Sequence, residues 1–338
     1  MLCVAALPIL WACFGWAGAA ARAAEPIQRL PALGTGVTPT DWDGSTNLDW
    51  PASHQTGLPP ADEPFLSQDY WQTSTRLSDR KEGFFQRLVF SATWIEGGRV
   101  DDLAITELEL YATFALPAPT RDYPLLITPG FATRFFDGPI APDLPAEVYS
   151  AYVQFMWLPR LSDRWTAILA ISPGVYSDFE DSGNDPFRLL GRGLLRYDVV
   201  PERLQILGGV YYLDRDDVNI LPVGGIVWNP SDDWRLDLVF PQPKIAYRFS
   251  CRDMREDWIY LAGEFGGDSW AIQRADGSPD RVTMRDLRLL FGWELKRGGG
   301  TGVRVEAGYV FGRTFEYASA TPDFEPSDAL LVRGVVSY

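Results

Sequence analysis

From about Phe84 to Tyr338 the chain alternates between apolar and polar residues with a period of two. That period is the signature of a pleated strand with two different environments on its two faces. Leu108, Leu110, Ala112 and Phe114 share one face, while Glu107, Glu109, Tyr111 and Thr113 share the other. Tyr149, Ala151, Val153, Phe155 and Trp157 likewise oppose Ser150, Tyr152, Gln154 and Met156, and Val303, Val305, Ala307, Tyr309 and Phe311 oppose Arg304, Glu306, Gly308 and Gly312. No segment of this region carries a convincing helical period.

Strands are predicted near 84–95, 104–116, 123–135, 147–158, 165–177, 188–199, 203–213, 219–228, 234–241, 243–249, 257–266, 282–295, 302–316 and 328–338, fourteen in all. The ninth and tenth are short and separated only by Pro241-Gln242-Pro243, so twelve is the alternative if they form one bent strand. Most reach the roughly nine to eleven residues that a tilted strand needs to cross a hydrocarbon layer. A mean hydropathy of -0.10 excludes a bundle of transmembrane helices. It leaves a membrane barrel open, because lipid-facing and lumen-facing residues average out. The expected fold is all-β, an antiparallel up-and-down transmembrane β-barrel.

The connections alternate in length. Pro159–Arg164, Val200–Glu202, Asn229–Asp233 and Arg297–Gly300 are short turns, whereas 136–146, 178–187, 267–281 and 317–327 are longer and rich in Asp, Glu, Gly and Pro. Short turns at the periplasmic end and long loops outside are the bacterial pattern. Pro129-Gly130 and Pro173-Gly174 recur in similar settings, and a proline inside a strand is expected to mark a bulge or bend.

Trp157, Trp165, Trp228, Trp234 and Trp293 lie at strand ends beside the short turns, as an aromatic girdle at a headgroup layer requires. Trp258 shares their level, but alternation places it on the opposite face. A soluble β-sandwich would instead concentrate such rings mid-strand. Leu330, Val332, Gly334, Val336 and Tyr338 form one face of a last strand that ends on an aromatic residue. Val336 and Tyr338 resemble the C-terminal signal read by the barrel assembly machinery.

The opposite, inward face is charged. Glu107, Glu109, Asp237, Glu264 and Glu306 are expected to share the lumen with Arg192, Arg196, Arg235, Arg248, Arg288, Arg304 and Arg333. Two readings follow: a salt-bridged interior that holds the barrel in shape, or a charged constriction that selects solutes.

Residues 1–23 carry an apolar run from Val4 to Gly18 and the small-residue frame Ala21-Arg22-Ala23, and are expected to be a cleaved signal peptide. No Lys or Arg precedes the run. Residues 24–83 are rich in Pro, Gly, Thr, Ser and Asp and lack a sustained period, as a periplasmic linker or partial plug would. Cleavage leaves Cys251 as the remaining cysteine, a buried apolar thiol or an exposed turn residue, and excludes a disulfide scaffold.

The chemistry of an enzyme is hard to assemble. The single histidine, His54, lies in the linker, so a serine in the barrel has no general base of the usual kind. No phosphate-cradling loop, zinc spacing or EF-hand spacing appears, and no cofactor is expected. A net charge of -15 argues against nucleic acid.

The stretch Trp228-Asn229-Pro230-Ser231-Asp232-Asp233-Trp234-Arg235-Leu236-Asp237-Leu238-Val239-Phe240-Pro241, with Tyr247-Arg248-Phe249, Thr106–Leu110 and Ile127–Phe131, resembles a family of bacterial proteins classed as a domain of unknown function and presumed to be outer-membrane barrels. The resemblance implies architecture and location over about 84–338 and assigns no functional residue.

Three functions fit these observations: a passive outer-membrane channel or transporter for small solutes, a structural or adhesive barrel with an occluded lumen, or a soluble secreted β-sandwich that binds a ligand. The partners expected of the first two are outer-membrane lipid and the assembly machinery. Folded protein should migrate differently from boiled protein in detergent gels; identical mobility would contradict a barrel.

Overall fold

A computed structural model describes residues 83–338 apart from 98–101, 121–122, 140–141, 181–184, 216, 299 and 320, all within the unit Trp50–Tyr338. The expected signal peptide and the linker up to residue 82 lie outside the described residues. Within them the alternating text becomes strand nearly throughout, and no helix is present among the described residues. In order these are β1 (Phe85–Ile95), β2 (Ala104–Pro119), β3 (Pro124–Asp137), β4 (Glu147–Trp157) and β5 (Trp165–Ser177). Next come β6 (Phe187–Val200), β7 (Leu204–Tyr212), β8 (Ile220–Ser231), β9 (Trp234–Phe240) and β10 (Lys244–Arg252). The last are β11 (Arg255–Gly266), β12 (Ser269–Gln273), β13 (Pro279–Arg297), β14 (Thr301–Tyr317) and β15 (Ala329–Ser337).

Each wall strand pairs antiparallel with its sequence neighbour, β11 pairs directly with β13, and β15 pairs with β1. The result is a closed barrel of 14 strands, with β12 as an extra arm that is not a member of the ring. Closure runs from Val89↔Ser337 to Ile95↔Leu331 and is sealed by Leu88 and Tyr338, whose backbones each donate to the other at 2.8 Å. Chain direction sorts the connections into two ends. One, the turn end, holds the short turns and the start of β1 and end of β15. The other, the loop end, holds the longer connections.

The twelve-strand alternative does not hold. Pro241–Pro243 turns the chain at the loop end, where the Gln242 N–H donates to Val239 O at 2.9 Å, and β9 and β10 pair as a separate hairpin. The two Pro-Gly pairs distort the sheet less than a bulge would. Pro129 and Pro173 keep their register opposite Val153 and Leu189, but on their other side the ladders to β2 and β4 are interrupted at each proline. Their glycines explain the sequence instead. A Cβ at Gly130 would collide with the ring of Tyr152, which lies across it from β4. The same arrangement recurs on the far side, where the Tyr260 ring of β11 covers Gly292 of β13. Covering a strand glycine with a neighbouring aromatic ring restores the packing the glycine lacks. Both tyrosines then donate to a glutamate one strand further on, Tyr152 to Glu109 at 2.7 Å and Tyr260 to Glu306.

The connection 267–281, expected as a plain loop, is not one. Its first half is β12, paired antiparallel with the start of β13 from Ser269↔Thr283 to Gln273↔Pro279. This hairpin tips inward, since Trp270 and Ile272 are fully buried. Gly267 (φ 106°) supplies the backbone turn into it and Gly277 (φ 82°) the bend at its tip.

Replacing Gly292 by Val should displace the Tyr260 ring and cost about 1–3 kcal/mol, as overpacking does. Gly193→Val, where a Cβ meets nothing within 4 Å, should change the urea midpoint far less. Equal shifts in the two variants would refute the Tyr–Gly packing role.

Candidate functional site

The pleat turns this protein inside out relative to an ordinary core. Large apolar side chains such as Leu88, Phe90, Leu110, Phe131, Leu169, Ile206, Leu238, Leu289, Phe291 and Val332 are exposed on the outward face. Arginines, aspartates and glutamates are buried on the inward one. The interior is therefore the candidate site, and it has three parts.

The first is a charge network that crosses the barrel. Glu107 of β2 receives Arg134 of β3 and Arg288 of β13, both at 3.2 Å, and Arg288 also grips Asp286 at 2.8 Å. Between β2 and β13 lie β1, β15 and β14, so the Glu107–Arg288 contact is a chord through the lumen and not a ladder pair. Arg333 of β15, 1% exposed, donates to Glu306 at 2.9 Å, Glu264 at 3.1 Å and the Thr93 hydroxyl at 3.1 Å. Arg304 approaches Glu306 at 3.7 Å. Lys244 sits 4.0 Å above the Tyr260 ring and 3.8 Å from Glu294. Of the sequence candidates, Glu107, Glu109, Arg288, Arg304 and Glu306 lie in or beside this network.

The second part lies on the β6–β9 wall, where Arg196 meets Asp198 at 3.6 Å and Arg235 meets Asp237 at 2.9 Å. Arg192 of the same wall stacks 5.1 Å from the centre of the Tyr211 ring. The ion pairs of Arg196 and Arg235 with Asp198 and Asp237 stay on this wall. A pattern invisible in a residue-by-residue reading unites the two: Arg196-x-Asp198, Arg215-x-Asp217, Arg235-x-Asp237, Arg255-x-Asp257, Asp286-x-Arg288 and Arg304-x-Glu306 all pair along one strand or loop. A spacing of two puts both charges on one face of a strand, so the signal was present in the sequence.

The third part was missed altogether. The inward hairpin reaches from β13 to the far wall. Trp270 donates to Ser150 Oγ of β4 at 3.0 Å, lies 4.8 Å under the Arg134 guanidinium and meets Phe136 edge-on at 6.4 Å. Ala271 forms a parallel bridge with Ser177 of β5, and Asp178 accepts the Gln273 N–H at 2.7 Å. Arg188 of β6 holds the hairpin's root through Asp268 at 3.0 Å and Ser269 O at 2.6 Å. Since β4 and β5 lie about half the ring away from β13, the hairpin spans the loop-end mouth. Beside its tip is a cleft of about 410 Å³ lined by Asp143, Glu147, Asp178, Glu180 and Arg274 among others. Outside the strands, hydrogen bonds from the Ser278 hydroxyl and backbone N–H hold the Asp276 carboxyl below its usual range, which fixes the tip.

On the outward face, Trp165, Trp228 and Trp234 are 42%, 44% and 45% exposed near the turn end. Trp157 and Trp293 are half-buried there, and Trp157 donates to Tyr123 O at 3.2 Å. Tyr197 and Tyr247 pack tilted against Trp165 and Trp234, with ring centres 4.8 and 4.9 Å apart. Trp258 is buried inside, its Nε1 donating to Glu256 at 3.0 Å. Val336 and Tyr338 point outward, and Cys251 is exposed near the turn end of β10.

Arg333→Met should strand Glu264 and Glu306 and cost about 3–5 kcal/mol, the usual penalty for removing one partner of a buried pair. Adding Glu264→Gln and Glu306→Gln should recover much of that loss in denaturant unfolding of the folded barrel. A single variant as stable as the parent would show that the network is not under tension.

Among solved structures, the chain is similar to the outer membrane protein OpdK from Pseudomonas aeruginosa, at 12% identity and a TM-score of 0.26, covering 76% of this chain and 99% of that one. It is also similar to the transport unit of the autotransporter AIDA-I from Escherichia coli, at 9% identity and a TM-score of 0.27, covering 78% and 91%. The fold described above rests on this chain's own pairings. No curated protein matches it. Residues 140–323, more than half of the chain, match a family described as a domain of unknown function (DUF6268), and the stretch Trp228–Pro241 that suggested such a family lies within the match. The chain belongs to that family.

Proposed function

We propose that the chain is an outer-membrane β-barrel that passes small solutes through a charge-lined, restricted lumen, without enzymatic activity. The outward apolar belt is the observation that carries the membrane assignment. Leaving one Leu or Phe side chain in water instead of burying it forgoes about 1.5–3 kcal/mol, and this face exposes them on almost every strand. A continuous belt far exceeds the patch a soluble monomer tolerates, whereas acyl chains would cover it. Trp157, Trp165, Trp228, Trp234 and Trp293 then form a girdle at one interface, with indole rings in the apolar layer. The turn end faces the periplasm, and Val336 and Tyr338 serve the assembly machinery.

The interior supports the solute path. Buried ion pairs contribute little net stability, and apolar residues of similar volume often do as well or better. A barrel needed only as a strut has no use for a chord such as Glu107–Arg288. A charged constriction selects what passes, and on this reading Glu107, Glu109, Arg192, Arg196, Arg235, Asp237, Arg288, Arg304 and Glu306 line it. The hairpin favours a second reading, because an arm across the mouth also suits a structural barrel with an occluded lumen.

Purified barrel in planar bilayers should give small, discrete conductance steps. Replacing residues 268–280 by a short Gly-Ser link should raise them severalfold. Silence from both proteins would sink the channel and leave the occluded barrel.

A further inference from the structure

The inward hairpin is held differently at its two ends. At the root, five ladder pairs join β12 to β13, and the Thr283 hydroxyl donates to Ser269 Oγ at 2.9 Å. Two arginines grip the backbone there, Arg188 at Ser269 O and Arg215 at Gly267 O, at 2.6 and 3.1 Å. At the far wall the hold is the parallel bridge of Ala271 with Ser177 and hydrogen bonds to side-chain acceptors. Asp178 takes the Gln273 N–H, Asp143 takes the Ala275 N–H at 3.0 Å, and Ser150 takes the Trp270 indole N–H. Water can replace each of these acceptors. It cannot replace the packing of the Trp270 ring, which is fully buried against Arg134 and Phe136.

What fixes Arg134 therefore fixes the ring. Arg134 is buried, and its Nε donates to Glu107, its partner across the β2–β3 ladder, at 3.2 Å. The same guanidinium carbon stands 4.8 Å from the centre of the Trp270 ring. Glu107 is also gripped by Nη1 and Nη2 of Arg288, at 3.3 and 3.2 Å, and Arg288 belongs to β13, the strand that carries the hairpin. The contacts close on themselves, from β13 through Glu107, Arg134 and Trp270 back to β13. A cation is attracted to an indole face only while it stays over the ring, and more strongly when both are desolvated. Among the described residues, the hydrogen bonds of Glu107 go to the two arginines and not to the hairpin, so it acts on the ring through Arg134.

We infer that the hairpin is a lid rooted on β13 and latched at the far wall, and that Arg134 couples its latch to the charge network in the lumen. When Glu107 lets go of Arg134, Trp270 loses its seat and the hairpin swings away from the loop-end mouth. Arg134 is thus a positioning residue for the lid. The inference goes beyond the channel reading and does not need it, since a lid can be followed in a barrel that conducts nothing.

A thiol at the latch tests it. Ala271→Cys, with Cys3, Cys13 and Cys251 changed to Ser, places a thiol at the buried bridge to Ser177, where a water-soluble maleimide reaches it only as the hairpin lifts. In the detergent-folded full chain, labelling should be slow in this parent and several-fold faster with Arg134→Gln. Glu107→Gln should accelerate it to a similar extent, and the double variant no further, because both changes break one chain of contacts. Arg134→Lys, which keeps a charge over the ring, should stay near the parent. Arg255→Gln, at a half-exposed pair by the turn end, should label at the parent's rate. Either Gln variant of Glu107 or Arg134 labelling at the parent's rate would overturn the coupling, as would additive acceleration in the double variant. Fast labelling of the parent itself would overturn the latch. Heat-modifiable mobility checks that each variant folds. Should Glu107→Gln fail, Glu107→Asp, whose shorter side chain withdraws from Arg134, should give a smaller acceleration, and no acceleration would again overturn the coupling.

Discussion

Everything in this barrel depends on the seam between β15 and β1. A sheet of this length with open edges would present unpaired N–H and C=O groups on both sides, each a template for aggregation and, in hydrocarbon, a cost of several kcal/mol. Antiparallel pairing from Val89↔Ser337 to Ile95↔Leu331 removes both edges at once. Only then does every strand acquire an inside and an outside, and only then does period-two alternation sort charges from apolar residues. The interior network is a consequence of closure, since Glu107 and Arg288 meet only because the ring brings β2 round to face β13.

Closure also sets how much was legible in the sequence. Alternation along one strand is local, so Leu108 against Glu109 fixed the face of each residue, and strand boundaries such as those of β4, β5 and β14 fell within a few residues of expectation. The spacing of Arg235 and Asp237 was equally local. Which charges meet across the lumen was not, because register and shear decide it, and these depend on hydrogen bonds between strands far apart in sequence. The grouping of Glu107 with Arg288, and the separation of both from Arg235, follow from the ring.

The hairpin shows the same limit more sharply. Ser269-Trp270-Ala271-Ile272-Gln273 lies between glycines and is too short to assert a strand period. Its conformation is set by partners it meets only in the closed barrel: Ser150, Ser177, Arg134 and Arg188. Trp270 was noticeable as a large aromatic within an otherwise polar connection. Pro129-Gly130 carried two signals of different reach: the proline interrupts a ladder locally, whereas the glycine answers the Tyr152 ring on the neighbouring strand.

The short hairpin of β9 and β10 carries a consequence for the surroundings. Seven residues from Trp234 to Phe240, tilted by about 40° and rising roughly 3.3 Å each, cover about 18 Å along the barrel axis. The apolar band of such barrels is about 25 Å tall. In the membrane reading, lipid beside β9 and β10 must thin or tilt to match this low stretch of wall, while lipid beside β13 and β14 need not. The barrel would then carry its own lopsided annulus, a built-in hydrophobic mismatch that orients it among its neighbours.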